Sequence, residues 1–185
     1  MTSVVMRKLG RDGIESLVKA AKNLDREALS ELCVYFYPRI YRYVFYRVGT
    51  RQDAEDITSE VFVRMVKSLS TQKGSFQAWL FRIASNLIID HYRRTARRKK
   101  ALLAREHQAL LEPERNESHD LLLQHRLREA LSELTDEQQQ VITLKFMQDY
   151  DNSEIADMLS KSVGAVKGLQ FRALANLRKI LKRGD

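Results

Sequence analysis

Two prolines, seven glycines and a single cysteine are all that this chain contains of the residues that most often punctuate or staple a fold. So few turn formers argue against a protein of short strands and hairpins, whose tight connections depend on them. Cys33 has no second cysteine to pair with, so no disulfide framework forms. A reducing compartment and a buried structural thiol are expected instead. No apolar run approaches the roughly 18 residues of a membrane span, and the opening MTSVVMRKLGRDG is too short in apolar residues for a secretory signal. The chain is expected to be soluble and cytoplasmic, without stable membrane insertion. His91, His107, His119 and His125 show no metal-ligand spacing, and KSVGAVKG lacks the order of a phosphate loop. No motif sets a nucleophile beside a base, so neither enzyme, metal nor cofactor is expected.

What is present is positive charge and helical periodicity. Lysine and arginine outnumber the acids by 32 to 24, which suits a polyanionic partner and leaves nucleic acid, acidic protein and anionic membrane open. The apolar spacing predicts an all-α fold of two small helical domains joined by a flexible linker, the C-terminal one a helix-turn-helix. Leu29, Leu32, Cys33 and Phe36 form one stripe, which resumes at Ile40, Val44 and Val48 with Pro38 expected in the first turn of a new helix. After Gly49, Ile57, Val61, Met65 and Leu69 give the buried side of another helix, whose first turns, DAEDITSE, are acidic enough to offset its macrodipole.

The next helix is expected over about residues 76 to 98. Phe76, Trp79, Leu80, Ile83, Ala84 and Leu87 make its core stripe, while Arg82, Asn86, Asp90 and Arg93 share another face. Six basic residues and no acid lie between His91 and Lys100, with Trp79, Phe81 and Tyr92 interleaved along the helix. A charge run is often only a solvated face, but basic groups with aromatics are also the ingredients for holding single-stranded nucleic acid. EPERNESHD, residues 112 to 120, has no apolar residue, and a linker is expected over 95–125. Some 30 residues span on the order of 100 Å when extended, so the domains over 1–94 and 126–185 need not touch.

The C-terminal unit opens on a capping box, Thr135 with Gln138, followed by Val141, Ile142, Leu144 and Phe146 as core. Residues 135–157 are acidic, whereas 161–183 hold seven lysines and arginines and no acid. Ser153 to Leu159, a Ser-Lys-Ser turn and a helix capped by Ser162 make the helix-turn-helix, the second helix suited to a major groove. Ala156, Val166, Leu169 and Leu174 are expected to be buried, and Lys167, Gly168, Phe171 and Arg172 exposed.

The stretches DREALSELCVYFYPRIYRYV, DAEDITSEVFVRMVKSL and FQAWLFRIASNLIIDHYRR resemble the second conserved region of bacterial sigma factors. The segment from LSELTDEQQQ to ANLRKIL resembles the fourth, and the order and spacing resemble the extracytoplasmic-function (ECF) group of the sigma-70 family. The resemblance implies that Asp53, Asp56, Glu60, Phe62 and Arg64 bind core RNA polymerase. It further implies that Phe81, Arg82 and Asn86, with Lys73 in the loop from Ser70 to Ser75, lie near the melted strand of the minus-ten element, and Arg93, Arg94, Arg97 and Arg98 near its phosphates. Ser162, Ala165, Lys167, Gly168, Phe171 and Arg172 would meet minus-35 duplex. Promoter DNA, core polymerase and an anti-sigma factor are the implied partners. Two elements about 25 base pairs apart lie roughly 85 Å apart at about 3.4 Å per pair, within the reach of the linker. Ser59 replaces the usual Gln, the loop lacks the frequent aromatic, Ser160 and Lys161 replace Gly and an apolar residue, and Leu169 replaces a basic one. A stand-alone helix-turn-helix regulator is the rival reading; a peripheral membrane protein is a second, and requires Phe76 and Trp79 to be exposed.

Overall fold

Apolar residues every three to four positions fold the described chain into α-helices, and no strand occurs among the described residues. The computed structural model describes residues 9–103 and 119–183. The helices are α1 (Arg11–Lys22), α2 (Arg26–Val48), α3 (Arg51–Ser68), α4 (Phe76–Leu103), α5 (His119–Ser132), α6 (Asp136–Ile142), α7 (Asn152–Leu159) and α8 (Val163–Arg183). A 3-10 turn, Leu69–Thr71, follows α3, and a π-helical turn, Thr143–Met147, follows α6.

Local chemistry sets the boundaries. The Asp25 side chain accepts from the Glu27 and Ala28 amides at the start of α2, and Gly49, at φ 86°, ends that helix. Thr50 then accepts from the Asp53 amide and starts α3 without a linker. Thr135 and Gln138 form the expected capping box, and Asp151 with Glu154 forms a second one at α7.

Three expectations are corrected. Pro38 lies inside the continuous helix α2 rather than at the start of a new one. The proline removes one amide donor and crowds the carbonyl four residues back; that residue, Val34, is 59% exposed, so water can reach its backbone. One residue on, the Arg39 guanidinium donates to the Tyr35 carbonyl at 2.7 Å and lies over the Tyr35 ring at 3.8 Å. Phe146 is exposed rather than in the core, because the π turn shifts the phase so that Thr143 and Leu144 point inward. Leu174 is exposed as well, its neighbour Ala173 taking the buried position.

The helix α4 runs on through 95–103, and α5 begins at His119. Of the stretch expected to be linker, 104–118 lies outside the described residues, as does most of EPERNESHD. Neither α1 nor α5 was expected, although Ile14, Leu17, Val18 and Ala21 in α1 have amphipathic spacing.

Leu32, Phe36, Ile40, Val44, Val61, Met65, Leu80 and Ile88 fill the N-terminal core and are fully or nearly fully buried. Each such side chain contributes about 1.5–3 kcal/mol by burial. The same apolar cluster continues into the C-terminal half through Val141, Leu144, Tyr150, Ile155, Met158 and Val166. The two halves therefore share a core, and α7 packs directly on α4. Phe76 is buried and Trp79 half-buried against it, which removes the membrane-surface reading.

Candidate nucleic-acid interface

The helix-turn-helix forms where the residues predict it. The α7 helix ends at Ser160, whose left-handed φ of 54° turns the chain without the usual glycine. A non-glycine residue there costs roughly 1–2 kcal/mol. Lys161 anchors the turn by an ion pair to Glu137 on α6, 2.7 Å long. Ser162 accepts from the Ala165 amide at 3.1 Å and caps α8. Val166 and Leu169 are buried against the rest of the unit, and Lys167, Phe171 and Arg172 face outward. Phe171 is 76% exposed. Arg172 lies over Gly168, within 4 Å of where a Cβ would stand. Of the expected minus-35 residues, Ser162, Ala165, Lys167, Phe171 and Arg172 are exposed together at the start of α8 and Gly168 is half-exposed.

The N-terminal face is different. Arg82 and Asn86 are exposed on α4, but Phe81 is only 2% exposed. Its ring meets Tyr43 at 5.1 Å and Tyr150 at 5.6 Å, both edge-on. Tyr150 comes from the C-terminal half, and burial pushes its hydroxyl well above the usual phenol range, opposed by the nearby Arg39 charge. Arg82 Nη2 donates to Ser160 Oγ at 3.0 Å, and Gln140 Nε2 donates to Ser85 Oγ at 3.0 Å. The cavity between these residues, lined by Tyr43, Phe81, Arg82, Ser85, Asn86, Gln140 and Met158, holds about 130 Å³. That is well below the roughly 300–1,000 Å³ of a small-molecule site.

Beside this face, a buried charge joins the halves. The Arg47 side chain is fully buried; its Nη1 donates to Tyr43 Oη at 2.8 Å, and its Nη2 pairs with Asp136 at the start of α6. Asp136 also accepts from Gln140 Nε2 at 2.7 Å, and Tyr92 donates to the Arg47 carbonyl. Arg128 donates to the Gly49 carbonyl at 2.6 Å and Arg42 to the Met147 carbonyl at 3.3 Å. Sequence reasoning missed this network, since nothing local to Arg47 marks a partner 89 residues away.

The expected polymerase residues divide between two faces. Asp53, Asp56, Glu60 and Arg64 line one cleft of about 620 Å³, whose opposite wall carries His91, Arg94 and Arg98. Arg64 pairs with Glu60 at 2.7 Å, and Asp53 stands 3.7 Å from His91. Phe62 instead packs on Tyr37, next to a row in which Tyr37, Tyr41 and Phe45 stack at 6.4 and 5.8 Å. Aromatics repeating every four residues along α2 were the overlooked signal for that row. Arg93, Arg94, Arg97 and Arg98 are exposed along α4, and Lys73 is exposed in the loop before it. Among the described residues, no cluster of histidine, cysteine and carboxylates suits a metal, and no helix is long and apolar enough to cross a membrane. Cys33 is half-buried, and burial raises its thiol pKa.

Among the described residues the molecule is all-α, with a basic long helix and an exposed helix-turn-helix. Residues 32–98 match the model of sigma-70 region 2, and residues 124–177 that of sigma-70 region 4. The ECF RNA polymerase sigma factor BldN of Streptomyces coelicolor is 34% identical over 171 residues, covering 89% of this chain and 64% of BldN. The ECF RNA polymerase sigma factor SigX of Bacillus subtilis is 32% identical over 159 residues, with 78% of each chain covered. The chain spans less than two thirds of BldN and also of the Mycolicibacterium smegmatis ECF sigma factor SigE, 58% of which it covers. Among solved structures, CnrH in complex with the cytosolic domain of CnrY shares the fold, with a TM-score of 0.73, 23% identity, and 92% of this chain and 97% of that one covered. RpoE of Bartonella quintana, solved with the anti-sigma factor NepR, gives a TM-score of 0.65 at 19% identity and covers 83% of this chain and 96% of that one. This chain belongs to the sigma-70 family, in its ECF group.

Proposed function

We propose that the chain is a dissociable promoter-specificity subunit that binds core RNA polymerase in the cytoplasm and directs initiation without catalytic activity of its own. The observation that carries this is the pair of basic faces: the exposed, acid-free start of α8 and the arginine-lined far half of α4. In this reading residues 1–94 bind the polymerase clamp and the minus-ten element, 95–125 link, and 126–185 read the minus-35 duplex. Lys167, Phe171 and Arg172 enter the major groove, where base edges specify and phosphate contacts position. Arg82 and Asn86 meet the opened strand, an Asn amide offering a base edge both a donor and an acceptor. Arg93, Arg94, Arg97 and Arg98 track its phosphates. Asp53, Asp56, Glu60 and Arg64 form the polymerase face, with Phe62 on the adjoining aromatic one. An anti-sigma factor, as in the RpoE–NepR complex, is the expected regulator.

Geometry adds a requirement. The two reading units are packed together, whereas their promoter elements lie roughly 85 Å apart at about 3.4 Å per base pair. Initiation therefore includes separation of α6 and α7 from α4, which frees Phe81, Arg82 and Ser85.

Run-off transcription by core polymerase on a pool of genomic promoter fragments tests the reading. The expected result is new initiation at a shared pair of upstream motifs only when the chain is added. No stimulation, with tight duplex binding by the chain alone, would favour the stand-alone regulator.

A further inference from the structure

The α1 helix lies ahead of residues 32–98, so the family match gives it no role. Its inner face is firmly held, with Ile14, Val18 and Ala21 buried in the core. Its last residue does something that packing does not require. Lys22 Nζ reaches the loop between α3 and α4, 50 residues away, and donates to the Gln72 carbonyl at 2.6 Å.

The loop at that point is closed on itself. Gln72 is 5% exposed, whereas Thr71, Lys73, Gly74 and Ser75 around it are exposed. A buried polar side chain in a surface loop needs partners. Gln72 finds one in the Gly74 carbonyl, to which its Nε2 donates at 2.7 Å, while its own amide donates to the Leu69 carbonyl at 3.1 Å. Gly74, at φ 71°, supplies the left-handed backbone that lets the chain double back around the amide. Thr71 donates to the Ser68 carbonyl at 3.0 Å on one side, and Ser75 accepts from the Ala78 amide at 3.3 Å on the other. The backbone carbonyls facing inward are thus occupied, and the outward side chains, Lys73 foremost, are left free to meet a ligand. A long flexible lysine immobilised in this way loses rotamer entropy, which the bond to a partly buried carbonyl must offset.

We infer that Lys22 and Gln72 are positioning residues for minus-ten recognition, with α1 acting as the brace that holds the 70–75 loop in its strand-reading shape. This rests on the minus-ten reading proposed above. It also accounts for how a loop without an aromatic can discriminate bases: shape held from behind replaces a stacking side chain in front. Pre-organisation of this kind removes an ordering cost that would otherwise fall on binding.

The test uses holoenzyme made from core polymerase and the full chain, on a promoter selected by run-off. It compares the parent with Lys22→Met, Lys22→Arg and Gln72→Met. Two quantities are read: the rate of strand opening, and the ratio of opening between the parent promoter and one with a single minus-ten base changed. A mismatched base typically costs about 5- to 150-fold. The Lys22→Met and Gln72→Met variants are expected to open about tenfold more slowly and to lose most of that ratio, with polymerase affinity and minus-35 duplex binding unchanged. Lys22→Arg, which keeps a charged donor, is expected to retain the ratio. A variant that opens slowly while its ratio stays at the parental value would make the bond merely structural and overturn the inference, as would parental behaviour in both quantities. Absence of any base discrimination by the parent would overturn the minus-ten reading itself, and the inference with it, before a variant is compared.

Discussion

The two helices that carry the expected DNA contacts are presented in opposite ways. On α8, Phe171 is 76% exposed and Lys167 and Arg172 stand beside it in solvent, with the turn before them pinned by Lys161 and Glu137. On α4, Phe81 is 2% exposed beneath Tyr150, and Arg82 is bonded to Ser160 of the helix-turn-helix unit. A duplex groove can be entered by a helix that is already formed and exposed. In the proposed reading an opened strand is available only within the initiation complex, and of the residues that would hold it Phe81 is covered and Arg82 is bonded, while Asn86 is exposed. In the proposed reading the two faces therefore act in succession, duplex first and opened strand second.

The largest expected effect comes from preventing the second stage. Arg42 and Met147 face each other across the junction, and neither is assigned a DNA or polymerase contact. With both changed to cysteine in a Cys33→Ser background, a short reducible bis-thiosulfonate bridge should lower run-off transcription by 100-fold or more and leave minus-35 duplex binding intact. Reduction of the bridge should restore transcription. Arg172→Ala should act in the opposite pattern, weakening minus-35 duplex binding by about 5- to 150-fold, equivalent to about 1–3 kcal/mol, as measured by fluorescence anisotropy. Asn86→Ala should slow strand opening by about tenfold, with polymerase affinity unchanged in a competition assay; opening at the parental rate would remove Asn86 from the site. The smallest effect belongs to Leu174→Ala. Its 44% exposure predicts a change in unfolding free energy within about 0.5 kcal/mol by chemical denaturation, although the sequence pattern had placed it in the core.

How much could be read from the sequence follows the range of the interactions involved. The capping box at Thr135, the cap at Ser162 and the buried series Ile57, Val61, Met65 and Leu69 depend on residues three or four apart, and each is found as expected. The continuity of α2 through Pro38 was not legible, because it depends on Val34 being left to solvent and on Arg39 bonding to the Tyr35 carbonyl. Phe146 was misplaced for a related reason: a π turn shifts the phase without any proline or glycine to announce it. The site divides along the same line. Lys167, Phe171 and Arg172 are exposed because α8 alone decides their orientation. Phe81 is buried because Tyr150, 69 residues later, covers it, and Arg47 is buried because Asp136 meets it. Only tertiary structure brings those pairs together.

The most direct measurement of the central claim is the distance between the two units, free and at a promoter. Donor and acceptor dyes on Lys67→Cys of α3 and Lys179→Cys of α8, both exposed positions, in a Cys33→Ser background report it by energy transfer. The account predicts efficient transfer in the free chain and its near-complete loss when core polymerase and promoter DNA are added. Transfer that stays at the free-chain value in a transcriptionally active complex would contradict it.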